Sequence, residues 1–376
     1  MSEPSRLPAA PAWQQYLLAV VRGERRGLAA ALTRGALSVG AGLYRGGLEG
    51  YLLGCRSGLL AVTRAGVPVV SVGNITVGGT GKTSAVMAIA RQLMAEGMRP
   101  AVLSRGYGGC RAGVISDGES LLMPPQESGD EPRLLAERLP DVPVLVGKDR
   151  RQGARTAVGD LGAGSLVLDD GFQYWRLRKD LEIVLVDALN PFDNGRVLPA
   201  GLLREPVGHL QRADAVWVTH ADLTAPEQRQ AVADRVRTVG AEIEVSFARH
   251  LPARLRAWQD KGALEMADLA ERRVVALSSI GNPGAFERTL QRLGAIVVPV
   301  RFPDHHPYRQ QDLEAVQSLA RQEGAAAVVT TEKDEIRLPN WAGEPPLWVL
   351  GVEMTGLEGE PLVLSPRLLE KLRTCG

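Results

Sequence analysis

A glycine-rich stretch near residue 75 carries the residue types that bind a nucleoside triphosphate. Glycines allow backbone N–H groups to converge on phosphate oxygens, and the N-terminus of a following helix adds partial positive charge. In such a loop Lys82 reaches the β- and γ-phosphates, and the Thr83 hydroxyl ligates Mg²⁺. The stretch reads Gly73-Asn74-Ile75-Thr76-Val77-Gly78-Gly79-Thr80-Gly81-Lys82-Thr83. We therefore predict a phosphate-binding loop that ends in Gly-Lys-Thr.

The match to the strict motif G-x-x-x-x-G-K-[ST] is imperfect, because Thr76 stands where the first glycine belongs. Gly78 and Gly79 supply flexibility nearby. An apolar strand from Val67 to Val72 precedes the loop, and apolar residues at helical spacing follow it. The alternative is a strand-to-helix turn without a ligand. The coincidence of strand, Gly-Lys-Thr and helix favours the phosphate-binding loop.

Two adjacent carboxylates follow a later apolar run, and they are typical of the end of a Walker-B strand. Asp169 and Asp170 come directly after Ser165-Leu166-Val167-Leu168. One of them is expected to hold Mg²⁺ next to Thr83. The alternative is a turn-forming pair before Gly171, which the upstream loop disfavours.

Asp130 and a pair of histidines are weaker candidates for chemistry. Asp130 precedes Glu131-Pro132, and an aspartate just before such a helix start commonly accepts hydrogen bonds from the first backbone N–H groups. On sequence alone, this N-cap role is favoured over a catalytic role for Asp130. His305 and His306 share one loop after an apolar strand. Neighbouring side chains rarely point at one ion, so a general-acid or orienting role is favoured over metal binding. The alternative of a solvent-exposed loop histidine without a catalytic role stays open.

The elements that position these residues alternate between apolar strands and helices, which predicts a mostly parallel sheet covered on both faces. Ligands bind at the carboxyl ends of the strands in such sheets. Side chains at or just past such ends are therefore expected to converge on one site: Lys82, Arg105, Arg150, Asp169 and Asp170.

We predict an α/β fold with a P-loop NTPase-like core at 67–222 and a smaller α/β domain at 223–376 that carries the histidine loop. The second boundary is placed where a polar stretch from Pro226 to Arg237 begins. Residues 1–66 are predicted to form a basic amphipathic helical segment.

Composition narrows the classes of function for this chain of 376 residues. A formal net charge of +1 argues against a protein whose whole surface serves nucleic acid. Three scattered cysteines, Cys55, Cys110 and Cys375, suit a reducing compartment better than a disulfide framework. We expect neither a signal peptide nor an uninterrupted transmembrane helix.

Residues 1–66 are locally basic, with eight arginines against three glutamates. Tryptophan, tyrosine and leucine are interleaved with the arginines, as in interfacial membrane helices. An ordinary amphipathic helix packed on the domain fits the composition equally well.

In their order and spacing, several segments together resemble the tetraacyldisaccharide 4′-kinases of the lipid A pathway. The likeness runs from about Val67 to Leu338, and Thr76 looks like the family's own variant of the loop. Beyond the glycine-rich loop, the segments that carry it are Leu103-Ser104-Arg105-Gly106-Tyr107-Gly108, Gly129-Asp130-Glu131-Pro132, Asp169-Asp170-Gly171-Phe172-Gln173, Leu198-Pro199-Ala200-Gly201-Leu202-Leu203-Arg204-Glu205-Pro206, Phe302-x-Asp304-His305-His306-x-Tyr308 and Thr330-Thr331-Glu332-Lys333-Asp334.

The resemblance implies transfer of the γ-phosphoryl group of MgATP to the 4′-hydroxyl of a tetraacylated glucosamine disaccharide 1-phosphate. It implies nucleotide binding by the loop from Thr76 through Val77, Gly78, Gly79, Thr80, Gly81 and Lys82 to Thr83, with Gln173 and Arg204 lining the same cleft. It implies an acidic metal cluster of Asp169, Asp170 and Glu205 with Thr83. The catalytic residues would be Lys82, Arg204 and Asp130. Asp130 would be the base, and a histidine would support it. We choose His305 for that supporting role, and His306 is the competing candidate.

The resemblance also shifts the interpretation of residues 1–66 toward membrane contact, because a four-chain lipid hardly leaves the bilayer. We expect a peripheral or monotopic enzyme on the cytoplasmic face of the bacterial inner membrane, without nucleic acid or an obligate protein partner. Because Asp130 and His305 fall in different predicted domains, closure over ATP is expected to complete the site.

The main alternative from another class is a membrane-associated regulatory GTPase. Its guanine-reading segment is lacking, since Thr219-His220-Ala221-Asp222 has no lysine at the required place.

Overall fold

The computed structural model describes residues 12–106, 111–258 and 263–374. Tyr107 and Gly108 of one motif, Cys110, Cys375 and the first eleven residues of the predicted N-terminal segment lie outside the described residues. The helices are α1 (Ala12–Val21), α2 (Leu28–Arg56), α3 (Lys82–Ala95), α4 (Pro125–Ser128), α5 (Asp130–Arg138), α6 (Arg150–Gly159), α7 (Pro226–Val239), α8 (Pro283–Arg292), α9 (Gln310–Gln322), α10 (Glu332–Glu335) and α11 (Pro366–Thr374). The strands are β1 (Val69–Asn74), β2 (Pro100–Ser104), β3 (Gly113–Ser116), β4 (Val144–Val146), β5 (Ser165–Asp169), β6 (Leu181–Asp187), β7 (Ala215–Thr219), β8 (Glu244–Ala257), β9 (Ala263–Leu264), β10 (Arg273–Ser278), β11 (Ile296–Arg301), β12 (Ala327–Thr331) and β13 (Leu347–Gly356).

The described chain divides into two compact units, one of residues 12–250 with 354–374 and the other of residues 251–353. The domain boundary therefore falls near residue 250, whereas the prediction from sequence placed it between residues 222 and 223. The polar stretch that suggested the earlier boundary is the solvent face of α7, which buries Val232, Ala233 and Val236 in the larger unit. Helices α1 and α2 also belong to the larger unit and do not form a separate segment.

The larger unit is built on a sheet with strand order β8-β7-β6-β1-β5-β2-β4-β3. All of these neighbours pair in parallel except β3, which runs antiparallel to β4. The predicted mostly parallel α/β sheet is confirmed. Strand β1 lies between β5 and β6, with Val72 opposite both Asp169 and Ile183. This register brings the glycine-rich loop and the acidic pair to the same edge.

Both faces of this sheet are covered, which explains why its central strands are mostly apolar. Along β6, Ile183 and Leu185 pack in the cluster that includes α3, α5 and α11. Val184 and Val186 point to the other face, in the cluster that includes α7 and Ala41 of α2. The two-residue period of the strand thus distributes one apolar run between two cores.

The smaller unit has a parallel sheet in the order β11-β10-β12-β13. Helix α9 packs with Val275 and Val328 on one face. Helix α8 packs with Val274 and Val329 on the other. The loop with His305 and His306 follows β11.

Helix α2 presents an apolar row to solvent. Its exposed large side chains include Leu28, Leu32, Val39, Leu43 and Leu53, which recur at helical spacing along one side. Within the part of the chain that the structure describes, no helix is long and apolar enough to cross a membrane.

Candidate active site

The glycine-rich loop links the central strand β1 to helix α3. Gly81 caps α3 in the left-handed region with φ of 87°, and Lys82 is the first helical residue. A side chain at Gly81 would be forced against His250, since a Cβ built there lies 2.7 Å from His250 Nε2. The glycine is therefore required both by conformation and by space.

Thr76 departs from the strict motif because the loop begins as an extended segment. It forms an antiparallel bridge with Leu203. The neighbouring Val77 N–H donates to Leu202 O at 2.8 Å, and Arg204 N–H donates to Ile75 O at 2.7 Å. A β-like position suits threonine and does not need glycine. The same bridge carries Arg204 to the loop.

Asn74, the last residue of β1, is a hydrogen-bonding hub that the sequence analysis did not assign. Its Nδ2 donates to Thr80 Oγ1 at 3.1 Å. Its Oδ1 accepts from Arg204 Nη1 at 3.1 Å and from Lys82 Nζ at 3.4 Å. Gln173 Nε2 donates to the Asn74 carbonyl at 2.9 Å. The side chain is fully buried, so these bonds fix the loop against its two cations.

Asp170 holds both cations in place. Arg204 binds its carboxylate with two hydrogen bonds, Nη1 to Oδ1 at 2.7 Å and Nη2 to Oδ2 at 2.9 Å. Lys82 Nζ lies 3.6 Å from Oδ1. Such a fork-to-fork pair fixes orientation as well as charge. In this arrangement Asp170 positions Lys82 and Arg204, and its predicted role as a metal ligand stays a prediction.

Asp169 and Thr83 fit a magnesium site. Asp169 Oδ2 accepts from Ser104 Oγ at 2.8 Å, whereas Asp169 Oδ1 and Thr83 Oγ1 are buried without a hydrogen-bond partner. Buried oxygens without partners are costly unless a ligand satisfies them. In the described residues no group of three or more His, Cys, Asp or Glu forms a metal cage. Mg²⁺ suits such a site, because it takes one or two protein oxygens with phosphates and water.

The pKa of Asp169 is raised to about 6, first by burial and then by the negative charges of Glu131 and Asp170. A bound cation would offset this cost by stabilising the ionised carboxylate.

Glu205, the third predicted metal ligand, has both oxygens occupied by cationic or imidazole groups. Arg212 donates from Nη1 to Oε2 at 2.8 Å and from Nη2 to Oε1 at 2.9 Å. His209 Nδ1 lies 2.8 Å from Oε2. Although burial opposes ionisation, bonds from His209 and Arg212 lower the pKa of the buried Glu205 carboxyl overall. This geometry does not favour Glu205 as a metal ligand, and that role stays a prediction.

Asp130 begins helix α5, whose N-cap position belongs to Gly129. The N-cap role that sequence favoured is therefore not taken by Asp130. The neighbouring Glu131 is close enough to raise the pKa of Asp169. The start of α5 thus lies on the acidic side of the site.

The two histidines of the smaller unit differ in their surroundings. His306 Nε2 lies 3.0 Å from Asp312 Oδ2, and its ring stacks on Phe302 at a centroid distance of 4.6 Å. His305 has a left-handed backbone with φ of 58°, and its side chain is 56% exposed. His306 is thus held by packing, and His305 is the more accessible of the two.

Two further arginines lie at the site, of which Arg150 was expected there from sequence and Arg212 was not. Arg212 binds Glu205 and lies over the Phe172 ring at 3.4 Å. Arg150 donates from Nη2 to the Asp169 carbonyl at 2.8 Å. Arg150 was expected there because it follows the end of a predicted strand, whereas no pattern in the sequence singled out Arg212.

Comparisons with known proteins agree with the resemblance drawn from the motifs. A sequence model of the family described as tetraacyldisaccharide-1-P 4′-kinase matches residues 35–372. A tetraacyldisaccharide 4′-kinase of Anaeromyxobacter dehalogenans (strain 2CP-C) is 52% identical over 286 residues, 75% of each chain. One from Anaeromyxobacter sp. (strain Fw109-5) is 46% identical and covers 90% of this chain and 92% of its own.

A solved structure is also similar. LpxK from Aquifex aeolicus, in complex with ATP, matches with a TM-score of 0.69 and 30% identity. The match covers 91% of this chain and 98% of that one.

Proposed function

This chain belongs to the tetraacyldisaccharide-1-phosphate 4′-kinase family, and from that premise we propose how its site performs the reaction. The chain is an ATP-dependent kinase that phosphorylates the 4′-hydroxyl of tetraacyldisaccharide 1-phosphate in lipid A biosynthesis. The observation that carries the assignment of roles is the Asn74-centred network, which joins Lys82, Arg204 and the glycine-rich loop.

The donor half is formed by residues 76–83. Backbone N–H groups of the loop bind the phosphates, and Lys82 neutralises charge on the transferring group. Arg204 adds a second cation, held toward Lys82 by Asp170. Phosphoryl transfer depends mainly on positioning and charge neutralisation, so a rigid pair of cations suits it. Gln173 supports the loop through the Asn74 carbonyl.

Mg²⁺ would be held by Thr83 and Asp169, whose buried oxygens have no protein partner. Held there, the cation would supply positive charge that offsets the negative charge of the phosphates. Ser104 orients the Asp169 carboxylate by donating to Oδ2. Asp170 and Glu205 then act indirectly, by positioning the arginine and lysine side chains near them.

The acceptor half includes Asp130, which we propose as the base that takes the proton of the sugar hydroxyl. Its place at the start of α5, next to Glu131 and hence near Asp169, supports this role. A base must lie within hydrogen-bond reach of the hydroxyl that reacts. We propose that His305, the more accessible histidine of its loop, supports this base, as the family resemblance implies.

A membrane surface is the proposed meeting place with the lipid. The exposed apolar row of α2, with Leu28, Leu32 and Leu43, would enter the headgroup region of the cytoplasmic leaflet of the inner membrane. Arginines at the same end of the chain would lie over anionic lipid headgroups.

The GTPase alternative is not favoured by the family match. One kinetic experiment distinguishes the kinase from the GTPase. Release of ADP from ATP, or of GDP from GTP, is measured with and without tetraacyldisaccharide 1-phosphate in detergent micelles. Release that needs both ATP and the lipid supports the kinase. Hydrolysis of GTP that ignores the lipid would contradict it.

A further inference from the structure

The motif segment Thr330-Thr331-Glu332-Lys333-Asp334 lies in the smaller unit and contains none of the residues that bind phosphate, metal or the acceptor in the proposed function. It spans the end of β12 and most of the short helix α10. Its last residue, Asp334, is fully buried. A buried carboxylate is costly unless it is paired and hydrogen-bonded. The groups that bind Asp334 therefore indicate what this segment does.

Asp334 accepts hydrogen bonds from three parts of the smaller unit. Its Oδ1 accepts from Ser279 N–H at 3.0 Å and from Ser279 Oγ at 2.7 Å, just past the end of β10. The same oxygen accepts from the Tyr308 hydroxyl at 3.2 Å and from Arg337 Nη2 at 2.8 Å. Its Oδ2 accepts from Thr331 Oγ1 at 2.7 Å. Asp334 thus joins the end of β10, the loop after β11 and the α10 region.

Ser279 connects Asp334 to the backbone of His305. Its N–H and its hydroxyl donate to the Asp334 carboxylate, and its carbonyl accepts from His305 N–H at 3.1 Å. Ser279 is fully buried, so these bonds are shielded from water. One residue therefore transmits the position of the carboxylate to the histidine.

Tyr308 holds the end of the histidine loop, residues 302–308. Its ring is buried and meets Phe302 edge-on at a centroid distance of 5.2 Å. Burial, followed by the negative charge of Asp334, raises the pKa of the Tyr308 hydroxyl, so the hydroxyl keeps its proton and donates to the carboxylate. Phe302 N–H in turn donates to the last carbonyl of β10 at 2.8 Å. The loop is thus attached to one buried cluster on both sides of His305.

The backbone of His305 needs this support because it is strained. Its φ of 58° lies in the left-handed region, which is unfavourable for a residue with a Cβ. Such conformations persist only where the surrounding structure determines them, and they are common at functional sites. The bond to Ser279 fixes the peptide that leads into this conformation. The direction in which the imidazole leaves the loop therefore depends on the buried cluster.

We propose that Asp334 is a positioning residue for His305 and acts through Ser279 and Tyr308. The proposal rests on the proposed function, in which His305 supports the base that takes the proton of the sugar hydroxyl. Because Asp334 is fully buried, it acts by holding the loop conformation that presents the imidazole and not by touching a reactant. The segment from Thr330 to Asp334 thereby gains a role in the chemistry of the acceptor.

The test weakens the cluster and keeps its charge, because Asp334→Ala would also break the buried ion pair with Arg337. The double variant Ser279→Ala with Tyr308→Phe deletes two hydroxyl groups that donate to Asp334. Its kcat for transfer to tetraacyldisaccharide 1-phosphate should fall on the order of tenfold, because the imidazole is less well positioned. KM for ATP should stay within about twofold, since the glycine-rich loop is unchanged.

Coupling to His305 distinguishes positioning from general destabilisation. His305→Ala alone should lower kcat on the order of 100-fold. If Asp334 acts through His305, adding the double substitution to His305→Ala should cost less than about twofold more. A further tenfold loss in that background would overturn the proposal. So would an unchanged kcat when the double substitution is made in the parent chain.

Thr330→Val is the matched control, because it also deletes one buried hydroxyl hydrogen bond of the smaller unit. Thr330 is as buried as Ser279, and its hydroxyl donates to Leu277 O at 3.0 Å, within the sheet. This variant should keep kcat within about twofold of the parent value. A tenfold loss would show that turnover follows the stability of the smaller unit and would contradict a specific role of Asp334.

Amide hydrogen exchange, measured on the full chain, gives a readout that does not depend on turnover. The His305 N–H should exchange on the order of tenfold faster in the Ser279→Ala, Tyr308→Phe variant and at the parent rate in Thr330→Val. Unchanged exchange in the double variant would overturn the proposal. Normal turnover of His305→Ala would instead contradict the proposed function of His305, while the exchange rates still decide whether Asp334 holds the loop.

Discussion

At the scale of single residues, the site is a set of buried polar groups whose partners are divided between protein and ligand. Asn74, Asp170 and Glu205 have their oxygens satisfied by side chains. Thr83 Oγ1 and Asp169 Oδ1 do not. This division separates the residues that position the cations from those that would bind the metal, a distinction that adjacent aspartates in a sequence cannot reveal.

Replacing Lys82 tests the donor half. Lys82→Ala should lower kcat by roughly 100-fold or more, because a positioned cation on the transferring phosphate is removed. Steady-state kinetics with saturating lipid measure it, and an unchanged melting temperature shows that the variant is folded. Near-normal turnover would mean that the loop is not the phosphate site.

Asp130 is tested against its neighbour. Asp130→Asn should reduce kcat by roughly 100-fold and leave KM for ATP nearly unchanged, because a general base acts on the acceptor and not on the nucleotide. Glu131→Gln removes a charge one position away and serves as the matched control. If both variants lose the same activity, the effect is one of local charge and Asp130 is not the base.

The buried Asp169 carboxyl is expected to make the stability of the unliganded protein depend on pH. Its pKa is raised to about 6 by burial, so the folded state binds this proton more tightly than the unfolded chain. The stability contributed by the protonated form is therefore present below about pH 4 and lost as pH rises through about 6. Without metal or nucleotide, Asp169→Asn should raise the melting temperature at pH 8 by roughly 2 to 5 °C.

The same substitution should make little difference at pH 4, where Asp169 of the parent chain is already protonated. Melting curves in a chelator at both pH values measure the effect. A stabilisation of equal size at both pH values would show that the carboxylate charge is not its cause.

At the scale of elements, the sequence predicted the sheet well and its connections less well. Apolar runs identified the strands of the larger unit because both faces of each strand are buried, as in β1 and β5. The polar run at Pro226 looked like a boundary because an exposed helical face and a linker share a composition. The structure shows it to be α7. Periodicity within the run, with Val232, Ala233 and Val236 on one side, was the usable signal.

Contacts between distant parts of the chain were outside the reach of sequence reasoning. Thr76 appeared to be a defect until its bridge to Leu203 showed an extended start to the loop. Arg212 had no motif at all, because its role depends on Glu205 and Phe172, which only the fold brings to it.

Helix α2 gives a prediction at the scale of an element. The double substitution Leu32→Glu with Leu43→Glu should weaken association with vesicles that contain anionic lipid, because both side chains are exposed and apolar. Vesicle flotation measures it. Val363→Glu introduces the same change at another exposed apolar residue and should have no effect. Equal partitioning of the double variant and the parent chain would refute membrane contact through this face.

At the scale of the whole molecule, the larger unit alone holds the glycine-rich loop, the acidic pair and Asp130. The smaller unit carries the His305 loop on its own parallel sheet. Strands β8 and β13 are the two places where the chain passes from one unit to the other. An exposed apolar helix and a glycine-rich loop in one unit suit a kinase that acts on a lipid.

The most direct test of this account is the fate of a labelled γ-phosphate. The full chain is incubated with γ-labelled ATP, Mg²⁺ and tetraacyldisaccharide 1-phosphate in micelles, and the lipid product is analysed by mass spectrometry and phosphorus NMR. We predict one label per lipid, attached at the 4′-position and retained when mild acid removes the 1-phosphate. Label found only in inorganic phosphate, or at a position other than 4′, would contradict the account.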